Sequence, residues 1–261
     1  MSEIRNPDAS QEYKAQAAKR PAVSPESVSQ KSGGPADITG LLGEFFPFWN
    51  RLDARWQKRL SDSVSVRTYE KNAVIHQGRQ NCLGLLLILS GQVRAYIITE
   101  EGRELTLYRL FDRDICLFSA SCVFNSIQFD VFISADQDTR LLHIPPEVYR
   151  ECIEECAPAA MYTNELMASR FSEVMWVLDQ ILSKKLDARL AAFLLEETQL
   201  QDTESLAITH EQIANHLGSA REVITRMLKY FQSEGLVRLS RGHVDIIDAA
   251  ALEAAAGSSL R

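Results

Sequence analysis

The sequence predicts an α+β fold: an antiparallel β-roll (a jelly roll), then a long helix, then a C-terminal winged helix-turn-helix. Three observations predict it. Between Val64 and Ile144 short apolar runs alternate with glycine and turn residues, giving about eight strands at the spacing of a small roll or barrel. After Pro158 apolar side chains recur in steps of four and three. Two capping signals then flank a single glycine, Gly218, as in an angled helix pair.

The elements follow in order. Residues 1–36 are rich in Ser, Gln, Ala, Lys and Pro, with too little apolar surface to offset ordering entropy, and are expected to be a disordered polar tail. Order should begin near Ile38, with a short helix through Leu41–Trp49 and another from Asp53 to Leu60. The strands come next. Val74–Gln77, Gly84–Leu89 and the alternating Val93, Ala95 and Ile97 lead to a turn at Glu100–Arg103. Leu105–Arg109 returns, and Phe129–Ala135 and Arg140–Ile144 complete the roll. Pro145-Pro146 ends it, and Glu147–Glu155 should be helical. Pro158 suits the first turn of a long helix. Met167, Phe171, Val174, Leu178 and Ile181, widened by Met175 and Leu182, form a heptad seam that calls for a partner helix. Leu186–Glu197 is an amphipathic helix and Gln199–Ser205 a polar loop. The expected division is a tail (1–36), a β-roll effector domain (37–157), a dimerisation helix (158–183), a winged helix-turn-helix (184–248) and a C-terminal tail (249–261).

Composition bounds the function. Among 261 residues, 35 are acidic and 28 basic, a net charge of −7, which argues against a whole surface built to adhere to nucleic acid or membrane. There is no apolar run of ~18 residues and no apolar stretch in the first 35, so neither a membrane span nor a secretory signal is expected, and the cytoplasm is the default compartment. The five cysteines, Cys82, Cys116, Cys122, Cys152 and Cys156, are an odd number and read as free thiols rather than a disulfide framework. No catalytic elbow, phosphate loop or zinc-protease motif occurs, so no catalytic or metal residues are assigned and an enzyme is not expected.

The chemistry concentrates between Thr209 and His243. Thr209 with Gln212 forms a capping box, Ile213, Ala214 and Leu217 give the first helix a buried face, and Gly218 ends it. Ser219 with Glu222 reads as a second box that starts a second helix at once. Val223, Ile224, Met227 and Leu228 bury that helix, leaving Arg221, Glu222, Thr225, Arg226 and Lys229 outward. An arginine can donate two hydrogen bonds to guanine and a glutamate can accept one from cytosine, from the first turns of a helix lying in the major groove. A hairpin follows, Leu236–Ser240 and His243–Ile247, with Arg241 and His243 at a tip that could meet phosphate. From Gly218 to His243 five basic side chains stand against two acidic ones, a local excess of three positive charges.

This order of parts, over about Ile38–Asp248, resembles the Crp/Fnr family of bacterial transcription regulators, and the motif Thr209–Leu228 carries the resemblance. The resemblance implies a homodimer, joined through helix 158–183, that reads a palindromic operator in double-stranded DNA and meets RNA polymerase if it activates. It implies base contacts from Arg221, Glu222 and Arg226, with Thr225 beside them, and supporting contacts from Ser219, Thr209, Lys229, Arg241 and His243. Ala220 stands where serine is frequent in the family, and His210 where a phosphate-binding basic residue is frequent.

The effector half departs further. Cyclic-AMP binders in the family carry a Gly-Glu pair and an Arg-Ser pair, whereas the matching segments here are Asp114–Ala120 and Gln128–Val131. Phe129 replaces the phosphate-binding arginine, beside acidic Asp130, so cyclic AMP is not the expected ligand. Cys116 and Cys122, with Phe118 and Phe129, are the candidate sensor residues, and the thiols are either a redox or electrophile sensor or small buried hydrophobes. An iron–sulfur cluster would need four cysteines that the spacing does not gather. A haem on His76 or His143 with Met175-Trp176 is the other minor alternative, and no cofactor is assigned. The expected signal is a small molecule, redox change or nitrosative stress. The rival reading is a β-roll regulatory subunit that senses a ligand and acts through protein contacts without DNA.

Overall fold

The computed structural model describes residues 35–77, 83–117, 119 and 130–259. The expected tail, except its last two residues, and the candidates Phe118, Cys122 and Phe129 lie outside them, as does Cys82. The chain divides into two compact units, one built from residues up to Ile97 and Leu107–Glu173, the other from Ile98–Thr106 and Val174 onward.

In the first unit, helix α1 (Pro35–Phe45), a single 3-10 turn (Trp49–Arg51) and α2 (Ala54–Ser63) precede the strands. Asp53 caps α2, its carboxylate accepting from the Trp56 N–H at 2.8 Å. The strands are β1 (Ser65–Tyr69), β2 (Val74–Gln77), β3 (Leu85–Ser90), β4 (Val93–Ile98), β5 (Glu104–Leu110), β6 (Ile115–Cys116), β7 (Phe132–Ala135) and β8 (Thr139–Ile144). They form two four-stranded sheets, ordered β1-β8-β3-β6 and β2-β7-β4-β5, with antiparallel pairing throughout the registered ladders. This is the expected roll.

The apolar run Leu85–Ile88 has a clear physical cause. Successive side chains of a strand point to opposite faces. Leu85 and Leu87 join Leu142, Ile144 and the aromatics Phe46, Trp49, Trp56 and Tyr149 of the helices in one core cluster. Leu86 and Ile88 are equally buried but lie outside that cluster. A strand covered on both sides loses its alternation. Gly84, at φ +91°, is required there because a Cβ would overlap the Ile144 carbonyl oxygen.

The alternation expected in β4 is only partial. Arg94 is buried, its guanidinium 4.2 Å from the Tyr96 ring centroid and 3.4 Å from Asp136. The pairing offsets the desolvation of the charge.

Helices α3 (Pro146–Glu155) and α4 (Ala157–Ser183) follow, each close to expectation. The seam of α4 is strongly graded. Met167 packs on the core of the first unit, whereas Phe171 (65% exposed), Met175, Leu178, Ile181 and Leu182 (76%) stand open to solvent.

The second unit continues with α5 (Leu186–Gln201), β9 (Ser205–Leu206), α6 (His210–Leu217), α7 (Arg221–Ser233), β10 (Val237–Ser240), β11 (His243–Ile246) and α8 (Ala249–Ala256). Gln199–Ser205, expected as a polar loop, is helical through Gln201, and the helix ends at Asp202, which is left-handed at φ +49°. No breaker precedes that point, and the Gln201 amide donates back to Glu197 at 2.8 Å. The expected C-terminal tail is also corrected. Asp248 caps α8 by accepting from the Ala251 N–H, and Leu252 and Ala256 are buried in the same core as Leu190, Leu194, Ile224 and Leu228. A run of alanines lowers the cost of helix formation, and one leucine at the right phase suffices to anchor it.

Candidate nucleic-acid interface

The site is built on α6, the turn at Gly218 and α7. Thr209 and Gln212 form the reciprocal box: the Thr209 hydroxyl accepts from the Gln212 N–H at 3.2 Å, and the Gln212 side-chain oxygen accepts from the Thr209 N–H at 2.9 Å. Gly218 takes φ +67°, and its N–H and that of Ser219 both close on the Ala214 carbonyl. The glycine satisfies the C-terminal carbonyls of a short helix while reversing the chain.

The second expected box does not form. Ala220, not Ser219, is the N-cap of α7, and no side chain caps it. The left-handed turn uses one residue more than the sequence pattern assumed, so Ser219 sits in the turn and Glu222 falls in the second helical position. Glu222 is therefore released from capping and exposed.

Helix α7 buries Ile224, Leu228 and Phe231 against Leu190, Leu194 and Ile213. Its other face presents Arg221, Glu222, Thr225, Arg226 and Lys229, which together line a concavity of about 460 Å³. These are the five outward residues expected from the sequence. Arg221, Glu222, Arg226 and Lys229 are exposed, and Thr225 is half-buried at the base of the face. Three cations and one carboxylate, projecting from two turns of a helix, suit hydrogen bonding to base edges and phosphates.

The hairpin β10–β11 turns through Arg241-Gly242, pairing Ser240 with His243, and β11 pairs on its other side with β9 to become the middle strand of three. Gly242 has φ +77°. Arg241 and His243 are both exposed at the tip. A second cleft, of about 310 Å³, runs between wing and helices and is lined by Ile208, Thr209, His210, Glu211, Arg221, Ser240, Gly242 and His243. The structure thus gathers Thr209, Arg221 and His243 around one cleft, while Arg226 and Lys229 belong to the other. His210 carries a contact that no local spacing signals: its Nδ1 lies 2.9 Å from the Thr225 hydroxyl.

In the first unit, Cys116 is fully buried and burial pushes its thiol up, away from thiolate reactivity. Beside it lies a charged group that sequence reasoning missed. Arg170, 7% exposed, makes a two-pronged contact with Glu173 (2.7 and 2.8 Å) and stacks over the Tyr108 ring at 5.0 Å. No periodic signal in the sequence marks a buried arginine on a helix otherwise read for its apolar seam. His76 and His143 are both buried. His143 accepts or donates to Ser65 and contacts the Leu83 carbonyl, and burial, with Arg67 nearby, pulls its pKa down to about 4. Among the described residues no group of three or more metal-ligating side chains occurs, and no helix is long and apolar enough to cross a membrane.

Comparison with known proteins agrees with this anatomy. The cyclic nucleotide-binding domain matches residues 66–156 and the Crp-like helix-turn-helix domain residues 188–255. The chain is 30% identical to the cyclic AMP receptor protein of Thermus thermophilus over 169 residues, covering 65% of this chain and 77% of that protein. It is 29% identical over 177 residues to the transcriptional regulator SdrP of the same organism, covering 66% and 83%. A crystal structure assigned as a Crp/Fnr-family transcriptional regulator from Eubacterium rectale superposes with a TM-score of 0.79 at 57% identity, covering 81% of this chain and 98% of that one. A β-roll joined to a winged helix whose second helix presents an open cationic face, together with these matches, makes the chain a member of the Crp/Fnr family of DNA-binding transcription regulators, not an enzyme.

Proposed function

We propose that this regulator acts as a homodimer on a palindromic operator and answers a signal other than cyclic AMP. The observation that carries the reading is the α7 face: Arg221, Glu222, Thr225 and Arg226 are outward and share one concavity. In this reading those four contact base edges, while Ser219, Thr209, Lys229, Arg241 and His243 hold the backbone. The exposed seam Phe171–Leu182 supports pairing of α4 with its symmetry mate, since large apolar side chains in heptad register gain most from a second helix. Two recognition helices fixed by that pairing would match two half-sites about one DNA turn apart.

One relative is a cyclic AMP receptor protein. In this chain Phe129 and Asp130 occupy the segment where that ligand's phosphate would need an arginine, which supports a different signal, a small molecule or a redox or nitrosative change. Burial of Cys116 favours a ligand over thiol chemistry at that residue. RNA polymerase is the further partner if the protein activates. The test is enrichment of bound duplexes from a random DNA library by the full chain. A two-fold symmetric consensus is the expected result; recovery of no duplex above background favours the regulatory-subunit alternative.

A further inference from the structure

We infer that His210 is a positioning residue which sets the donor direction of Thr225 and couples operator affinity to pH. The inference rests on the DNA-binding reading of the α7 face. His210 opens α6, half-buried, and its Nδ1 meets the Thr225 hydroxyl at 2.9 Å, tying the first helix to the centre of the second helix's outward face. With the imidazole neutral, either partner can donate in this contact. Once the ring is protonated, both nitrogens are donors. The Thr225 oxygen must then accept from His210, and its own hydrogen is left to point outward, at an acceptor such as guanine O6 or N7, thymine O4, or a phosphate oxygen.

The surroundings set the proton affinity. Arg221 and Lys229 on α7 face the ring, Glu211 adjoins it on α6, and His243 lines the same cleft from the wing. In the free protein burial, Arg221 and Lys229 hold the imidazole below its ordinary value. DNA reverses this balance, because its phosphates and base-edge acceptors approach the same face and engage the two cations. The bound form therefore takes up a proton from solvent at His210. A complex that binds more protons than its components tightens as pH falls. The window opens near the ordinary histidine value and closes below the free-protein value. The sign distinguishes this coupling from simple acid damage, which loosens binding.

The experiment is fluorescence anisotropy of the full chain on its selected operator at constant ionic strength, at about pH 8 and about pH 6. For the wild type we expect binding about tenfold tighter at the lower pH, within the limit of one proton per subunit. His210→Gln keeps a hydrogen-bonding side chain but cannot titrate, and should bind like wild type at the higher pH with no gain at the lower. His210→Arg should bind tightly at both. A gain that survives in His210→Gln, or its absence in the wild type, overturns the inference while leaving DNA binding intact. A protein that binds no duplex at either pH overturns the DNA-binding reading itself, and the inference with it.

Discussion

Arg226 is exposed on the second turn of α7, in the same concavity as Glu222 and Thr225. It is exposed and is not part of the described core, so its removal should leave stability nearly unchanged and act on DNA. Arg226→Ala is expected to cost ~1–3 kcal/mol of operator affinity and to relax preference at one base pair of each half-site. Binding curves on single-base operator variants measure both. Lys229→Ala should weaken all duplexes evenly and reduce the dependence of affinity on salt by about one charge per subunit. A different residue governs acid stability. His143 is held neutral by burial, with a pKa of about 4. Its folded-state value lies below the unfolded one, so the unfolded chain takes the proton first. Stability is full above the ordinary histidine value and falls as pH drops towards about 4, by roughly 2–3 kcal/mol for this one group. Urea denaturation at about pH 7 and pH 4.5 should show that loss, and His143→Gln should blunt the pH dependence even if it lowers stability at both.

At the scale of elements, the helix pair and the seam carry the account. The seam was legible from its steps of four and three, and in its second half Phe171, Met175, Leu178, Ile181 and Leu182 leave a large part of their apolar surface exposed to solvent. Replacing Phe171 and Leu178 with lysine should leave the folded content of the chain intact by circular dichroism and convert a dimer to a monomer in sedimentation. A dimer that survives both changes would place the self-pairing elsewhere. The first capping box was equally legible, because Thr209 and Gln212 signal locally. The second was misread, because Ser219 and Glu222 have the right spacing while the left-handed Gly218 shifts the helix start by one residue. Spacing alone cannot report a dihedral angle. Gly218→Val should destabilise the second unit by about 1–2 kcal/mol, since a side chain resists the left-handed conformation; thermal melting measures this.

For the whole molecule, the order of roll, long helix and winged helix was readable because each part has its own period: two for strands, seven for the seam, and the abrupt break at one glycine. What was not readable were contacts between residues far apart in sequence, such as Arg170 over Tyr108 and His210 on Thr225. Nor did the alanine-rich end reveal α8, because its anchoring depends on a core assembled from other elements. The net charge of −7 also changes meaning once the fold is known. The recognition helix and wing carry an excess of three positive charges, so the acidity lies on the rest of the chain. Such a molecule should adhere weakly to arbitrary DNA and depend on base contacts for its affinity. The most direct test is the ratio of affinities for the selected operator and a scrambled duplex, in wild type and Arg226→Ala, at one salt concentration near physiological. A ratio of about a thousand or more is expected in the wild type, falling about five- to two-hundredfold in the variant while the scrambled-duplex affinity barely moves. Equal affinities for both duplexes in the wild type, or a ratio untouched by Arg226→Ala, would contradict it.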